Sequence, residues 1–331
     1  MNRLLRGGLA LAWLWLGLNG LAWADDVQQW LTRMDQAPAS ISYRGTLVRM
    51  GNGRMDTLRV VHRVDEDGIR ERIQALDGPP REVLREQDQI RCLISGQSSV
   101  VVDNPFPVRI FDRVRHEEML GPESVYTAQL LGADRVAARK ARVIDIIPAD
   151  RYRYGRRLWL DSETGMLLRS VVFSPDGGVV ERLSFVQIEL SASISDHELE
   201  SDLENPKRVR HYEVTEPNHS KDGSSRQPRW LPQDLPRGFR LTSVGRGGSE
   251  SERYEHLLFS DGLSHFSIYI EPVGATSIAE EIEARGAMHI YTGTLDGHRV
   301  TVVGEVPVPT VRLIGRHLRR ADRSDRRVRE R

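Results

Sequence analysis

Apolar and polar residues alternate with a period of two through most of this chain, and the clearest run is Arg156 to Leu190. Three alternating stretches there are separated by Ser162-Glu163-Thr164-Gly165 and by Pro175-Asp176-Gly177-Gly178. Both turns offer glycine where a hairpin needs a positive φ, so the segment predicts an antiparallel meander. Its third strand contains a conflict. Leu183 and Phe185 share one face, whereas Val186, Ile188 and Leu190 share the other. Either both faces are covered or a bulge switches the parity, and either case suits a curved sheet closing over something apolar.

A second meander precedes it. Ile41 to Val48, Thr57 to Val64, Ile69 to Leu76, Arg81 to Glu86 and Gln89 to Ser95 read as strands, with turns at Gly51-Asn52-Gly53 and Asp65-Glu66-Asp67-Gly68. Asp25 to Ala37 has helical spacing instead: Val27, Trp30, Leu31 and Met34 form one apolar stripe, and Pro38 is the stop signal. Between the meanders, Asn104 to Leu131 loses the alternation and predicts short helices and loops lying on a sheet, followed by a strand from Val136 to Ile147. After Leu190 the chain turns polar, with one candidate strand at Val209 to Val214. A second unit opens at Trp230-Leu231-Pro232. It contains a hairpin turning at Asp261-Gly262, a helix expected at Ile278 to Arg285, strands at Ala287 to Thr294 and His298 to Gly304, and a last helix at Pro309 to Leu318.

The first residues bear on compartment. Arg3 and Arg6 precede an apolar run that ends in Ala22-Trp23-Ala24, the pattern of a cleaved secretory signal peptide. The run is short for a membrane anchor and acidic residues follow it directly. The charge balance is even, at 47 basic and 47 acidic residues, so composition gives no nucleic-acid signal. The distribution is uneven, because Arg316 to Arg331 carries eight arginines against three acids. That tail is a solvated disordered end or an electrostatic contact for an anionic surface. A single cysteine, Cys92, excludes a disulfide framework, and its apolar strand favours a buried inert thiol. The 331 residues suffice for two modest cores.

No catalytic constellation emerges. His116-Glu117-Glu118 and Asp196-His197-Glu198 lack the second histidine of a zinc-protease helix. Ser264 and His265 sit within a hairpin pattern rather than on a nucleophile elbow, and Gly245-Arg246-Gly247-Gly248 lacks the lysine of a phosphate loop. No metal and no cofactor are implied. Phe106, Phe111, Met119, Leu120, Tyr126 and Leu130 are most simply core residues. They are also the candidate lining of a lipid cavity, since a curved sheet that its helices leave partly unfilled can accept acyl chains.

Five motifs carry a resemblance: Asp77-Gly78-Pro79-Pro80-Arg81-Glu82-Val83, Leu158 to Gly165, Trp230-Leu231-Pro232 with Gly238-Phe239, Leu258 to Leu263, and Thr301 to Pro307. In order and spacing the chain resembles the RseB/MucB family over nearly its whole length after the leader. The resemblance implies an α+β, mainly β fold: an N-terminal open antiparallel half-barrel around helices, similar to the lipoprotein carriers LolA and LolB, and a smaller C-terminal β-rich domain. It implies a periplasmic, non-enzymatic negative regulator of the envelope-stress sigma factor. Such a regulator binds the periplasmic part of a membrane-spanning anti-sigma factor of the RseA or MucA type and protects it from proteolysis, until lipopolysaccharide or another acylated, mislocalised lipid displaces it. Partner contacts are sought in the second domain, with Trp230, Phe239, Phe259 and Phe266 as aromatic candidates that equally suit that domain's core.

The resulting division is a signal peptide (1–24), a LolA-like lipid-sensing domain (25–200), a linker (201–228), an anti-sigma-factor-binding domain (229–315) and a basic disordered tail (316–331). The tail departs from the family pattern. A homodimer remains open. The competing function is a periplasmic lipoprotein or lipid carrier, against which the second domain counts, and a hydrolase would need a nucleophile and base that nothing in the sequence brings together.

Overall fold

The two meanders form one sheet because the first strand of one pairs with the last strand of the other. In the computed structural model, which describes residues 18–86, 89–94, 99–103, 119, 124–203, 209–213, 227–247, 254–273 and 278–321, β1 (Tyr43–Gly51) lies antiparallel to β11 (Val179–Leu190). From β1 the chain meanders through β2 (Arg54–Asp65), β3 (Gly68–Ala75), β4 (Arg81–Glu86), β5 (Gln89–Ile94) and β6 (Ser99–Asp103). The second run is β7 (Tyr126–Val136), β8 (Arg139–Pro148), β9 (Gly155–Asp161) and β10 (Leu167–Phe173) before β11. With β12 (Val209–Glu213) added in parallel to β6, the result is an open 12-stranded sheet whose edges are β12 and β7.

The parity conflict in β11 is resolved by a bulge. Thr46 pairs with Gln187 and Leu47 with Phe185, so Val186 is left over and stands 58% exposed. The extra residue returns Ile188 and Leu190 to the face of Leu183 and Phe185, where all four pack with Tyr43, Leu47 and Val60. Helix α1 (Leu18–Ser40) lies against the inner face and presents the expected stripe: Val27, Leu31 and Met34 are buried against Ile144, Ile146, Leu158 and Leu160, with Trp30 half-buried beside them. The helix extends to positions before Asp25, where Leu21, Ala22 and Ala24 have high helix propensity. Pro38 falls in its last turn. The turn after β9 is pressed onto α1. Gly165 has φ +79°, and a Cβ there would come 2.7 Å from the Cβ of Arg33.

Several expectations need correction. Tyr126 to Val136 is a strand rather than part of a loop region; β7 and β8 join at Ala137 and Ala138, both left-handed at φ 48° and 64°. Two alanines give no turn signal, so the hairpin was invisible. Ile278 to Arg285 is not a helix. Glu281–Arg285 forms β17, folded back by Gly286 onto β18 (Met288–Leu295), and tertiary pairing overrides the helical propensity of its Glu and Ala residues.

The smaller domain is a six-stranded antiparallel sheet. Its order is β14 (Arg240–Gly247), β15 (Tyr254–Ser260), β16 (His265–Pro272), β19 (His298–Gly304), β18, β17. A helix at Val308–Arg316 packs on it, as expected. Its fold does not stop at residue 315: Arg316 ends the helix, and β20 (Leu318–Arg320) pairs with β13 (Trp230–Pro232), with Leu318 buried in the core. The basic segment therefore begins as folded structure; residues 322–331 lie outside the described residues.

Candidate functional site at the domain junction

Of the six cavity candidates, the structure brings three together. Met119 and Tyr126 are buried in one cluster with Val27, Leu31, Val125 and Ile146, and Leu130 packs against it, while Phe106, Phe111 and Leu120 lie outside the described residues. The four aromatic partner candidates, by contrast, are core: Trp230, Phe239, Phe259 and Phe266 are 4%, 4%, 1% and 0% exposed. Phe239 meets Phe266 edge-on at 5.0 Å, and Phe259 stacks on Phe266 at 5.2 Å. Phe239 and Phe259 also line a groove of about 420 Å³, together with Leu231, Leu235 and Leu241.

The most concentrated chemistry lies where the two domains meet. The loop after β8 carries Arg153, whose side chain is fully buried. Its Nη1 donates to Asp261 Oδ2 at 2.6 Å, its Nη2 to the Arg237 carbonyl at 2.6 Å and its Nε to Asp150 Oδ1 at 3.1 Å. The guanidinium also lies over Phe239 at 4.8 Å and over Tyr126 at 5.5 Å. Burial works against the charge, but the Asp150 hydrogen bond and the Asp261 field outweigh it, so the pKa is raised and the group stays cationic. Asp150 and Tyr126 hold the guanidinium from its own domain, so it is fixed in place to meet Asp261, the Arg237 carbonyl and Phe239, and those three contacts are lost if the domains shift.

Asp261 is the counterpart on the smaller domain. One carboxylate oxygen takes Arg153 and the Tyr126 hydroxyl, the latter at 2.8 Å; the other accepts the backbone N–H groups of Leu263 at 3.0 Å and Ser264 at 2.7 Å. The carboxylate thus shapes the turn and joins it to the other domain. Burial and the Asp261 charge push the Tyr126 phenol well above its usual range, so it remains a donor. The turn in turn places Leu263 within the N-terminal core cluster. Gly238, at φ +89°, passes so close that a Cβ would lie 2.9 Å from Val125 Cγ2.

Further polar contacts run along the same seam. Thr310 Oγ1 donates to the Tyr152 carbonyl at 2.6 Å, Arg156 pairs with Glu305 at 2.7 Å, and the Tyr154 hydroxyl meets His289 Nδ1 at 3.1 Å. Sequence reasoning missed Arg153, Asp261 and Leu263 as a unit. Asp261-Gly262 read as an ordinary hairpin turn, and nothing in Arg151-Tyr152-Arg153 distinguishes the buried arginine from its neighbour. Cys92 is half-buried, and burial raises its thiol pKa, as an inert cysteine requires. No described helix is long and apolar enough to cross a membrane.

Comparison with known proteins covers both units. Residues 26–203 match the MucB/RseB N-terminal domain and residues 224–319 the MucB/RseB C-terminal domain. The chain is 32% identical over 304 residues to the sigma factor AlgU regulatory protein MucB of Pseudomonas aeruginosa, covering 89% of this chain and 92% of that one. It is 27% identical over 310 residues to the sigma-E factor regulatory protein RseB of Haemophilus influenzae, covering 90% and 93%. Among solved structures, the Pseudomonas aeruginosa MucA/MucB complex superposes with a TM-score of 0.68 at 30% identity, covering 90% of this chain and 99% of that one.

Proposed function

From the membership of this chain in the MucB/RseB family, we propose that it is a periplasmic negative regulator of an envelope-stress sigma factor. It binds the periplasmic part of a membrane-spanning anti-sigma factor of the RseA/MucA type, shields that segment from regulated proteolysis, and lets go when lipopolysaccharide or another acylated lipid is bound. The observation that carries the reading is that both domains match over nearly the whole length of relatives named as sigma factor regulators, one of them solved as a complex with MucA.

The rest of the molecule supports a binding protein. The apolar interior of the larger domain, with Met119, Tyr126 and Leu130, is the place for an acyl chain. The groove beside Phe239 and Phe259 is the place for an apolar side chain of the anti-sigma factor. The Ala22-Trp23-Ala24 site ahead of the matched region is where the leader would be removed on export. Relatives named as regulatory proteins support action by binding rather than by catalysis.

The test is calorimetric titration of the mature protein with the periplasmic fragment of its own organism's anti-sigma factor, repeated with purified lipopolysaccharide. Stoichiometric binding that lipopolysaccharide abolishes is expected. No binding in either condition overturns the reading and redirects attention to lipoprotein transfer.

A further inference from the structure

We propose that Leu263 is a built-in occupant of the lipid site, so that an acyl chain entering the N-terminal core ejects it and unlatches the smaller domain. The proposal rests on the lipid-responsive reading above and supplies its mechanical step.

Leu263 belongs by sequence to the smaller domain, yet every other buried member of its cluster lies between Val27 and Leu167. It is 5% exposed, so the apolar interior of one domain is closed by a side chain of the other. The residue is not free to leave alone. Asp261 Oδ1 holds the N–H groups of Leu263 and Ser264, while Oδ2 of the same carboxylate holds Tyr126 and Arg153. Withdrawing Leu263 moves the turn, and moving the turn pulls the carboxylate from both partners. Tyr126 ties the two ends together, because its ring is part of the cluster that a ligand would enter and its hydroxyl is part of the latch.

A ligand shifts a conformational equilibrium only through a difference in affinity between the two states. Here the difference is occupancy: in the docked state Leu263 fills the volume, and in the undocked state the volume is available. An acyl chain that takes the volume vacated by Leu263 buries methylene groups in its place, so the two compete for the same apolar site. By linkage, strengthening the latch weakens lipid binding and weakening the latch strengthens it.

The experiment uses full-length mature protein in a Cys92→Ser background, with nitroxide labels at Lys140→Cys and Arg285→Cys. Both positions are exposed and lie one on each domain. Lauric acid is the probe; its affinity is read by calorimetry and the label separation by pulsed dipolar spectroscopy. Saturating lauric acid is expected to lengthen and broaden the separation, and Leu263→Ala to bind lauric acid about tenfold or more tightly. Leu263→Met conserves volume and is expected to behave as wild type, which separates a vacated site from a damaged fold. Binding with an unchanged separation overturns the proposal, as does equal affinity of wild type and Leu263→Ala, or no binding by either. Titrating the anti-sigma fragment into the same samples reports on the regulator reading separately. Fragment binding that lipopolysaccharide abolishes at constant label separation sinks the latch alone, whereas unlatching by lauric acid without any fragment binding sinks the regulator alone.

Discussion

Arg153 and Asp261 meet at 2.6 Å with neither side chain exposed, and they come from different domains. An ion pair in such a place is weak as net stabilisation, since both groups lose their water, but it is demanding in geometry because either partner alone is a buried uncompensated charge. The pair therefore acts as a register mark for domain docking. The docked arrangement is the one in which Arg153, Tyr126 and Asp261 are all satisfied.

Arg153→Met leaves Asp261 buried without its counter-charge and is expected to lower stability by roughly 3–5 kcal/mol. Adding Asp261→Leu should restore part of that loss, because the orphaned charge is gone. Urea unfolding of the two single variants and the double variant checks this; additive losses would show that the two groups do not act as a pair.

His256 gives a pH dependence with a definite sign. It is largely buried, its ring stacks on Tyr269 at 4.5 Å and its Nε2 lies 2.9 Å from Ser267 Oγ; burial pushes its pKa down to about 4. The fold favours the neutral ring, so its contribution is complete above the unfolded value of ~6.5 and is lost as the pH falls from there towards about 4. The loss amounts to on the order of 3 kcal/mol. His256→Gln keeps a partner for Ser267 and should flatten stability against pH across that window, measured by urea midpoints at successive pH values.

Asp161 works in a lower window. Burial tends to raise its pKa, but the Arg139 guanidinium at 2.6 Å and the backbone and hydroxyl of Thr164 outweigh it and hold the carboxylate below its ordinary value. Its stabilisation is present above the unfolded pKa of ~3.9 and is lost as the pH drops through the lower folded value. Asp161→Asn is expected to cost about 1–3 kcal/mol at neutral pH and to make acid unfolding less steep below pH ~4. An unchanged acid transition would assign that transition to other carboxylates.

The hairpin at Ala137 and Ala138 predicts a gain. Ala138 is exposed at φ 64°, a conformation in which Cβ crowds the following carbonyl. Ala138→Gly should therefore raise stability by about 1 kcal/mol, less the extra entropy of the unfolded glycine. A thermal midpoint at or below that of the wild type would show that the alanine is unstrained.

Local periodicity and the punctuation around it are legible in the chain alone. Alternation marked most strands, Gly165, Gly177 and Gly262 marked turns that the structure closes with positive φ, and the Val27, Leu31, Met34 stripe marked the helix face. The match of five motifs identified the family, because turn residues at fixed spacing record a fold even when they carry no chemistry. Features that depend on a partner distant in the chain are set by the folded molecule instead. The Val186 bulge is fixed by β1, the strand at Glu281–Arg285 by its neighbour β18, and the burial of Trp230, Phe239, Phe259 and Phe266 by one another and by the sheet. The junction is the extreme case: Arg153 and Asp261 are 108 positions apart, and an arginine in a loop and an aspartate in a turn have the same local signature whether solvated or buried. Their meeting comes from docking one core against another, which is set by the shapes of both and encoded in no single segment.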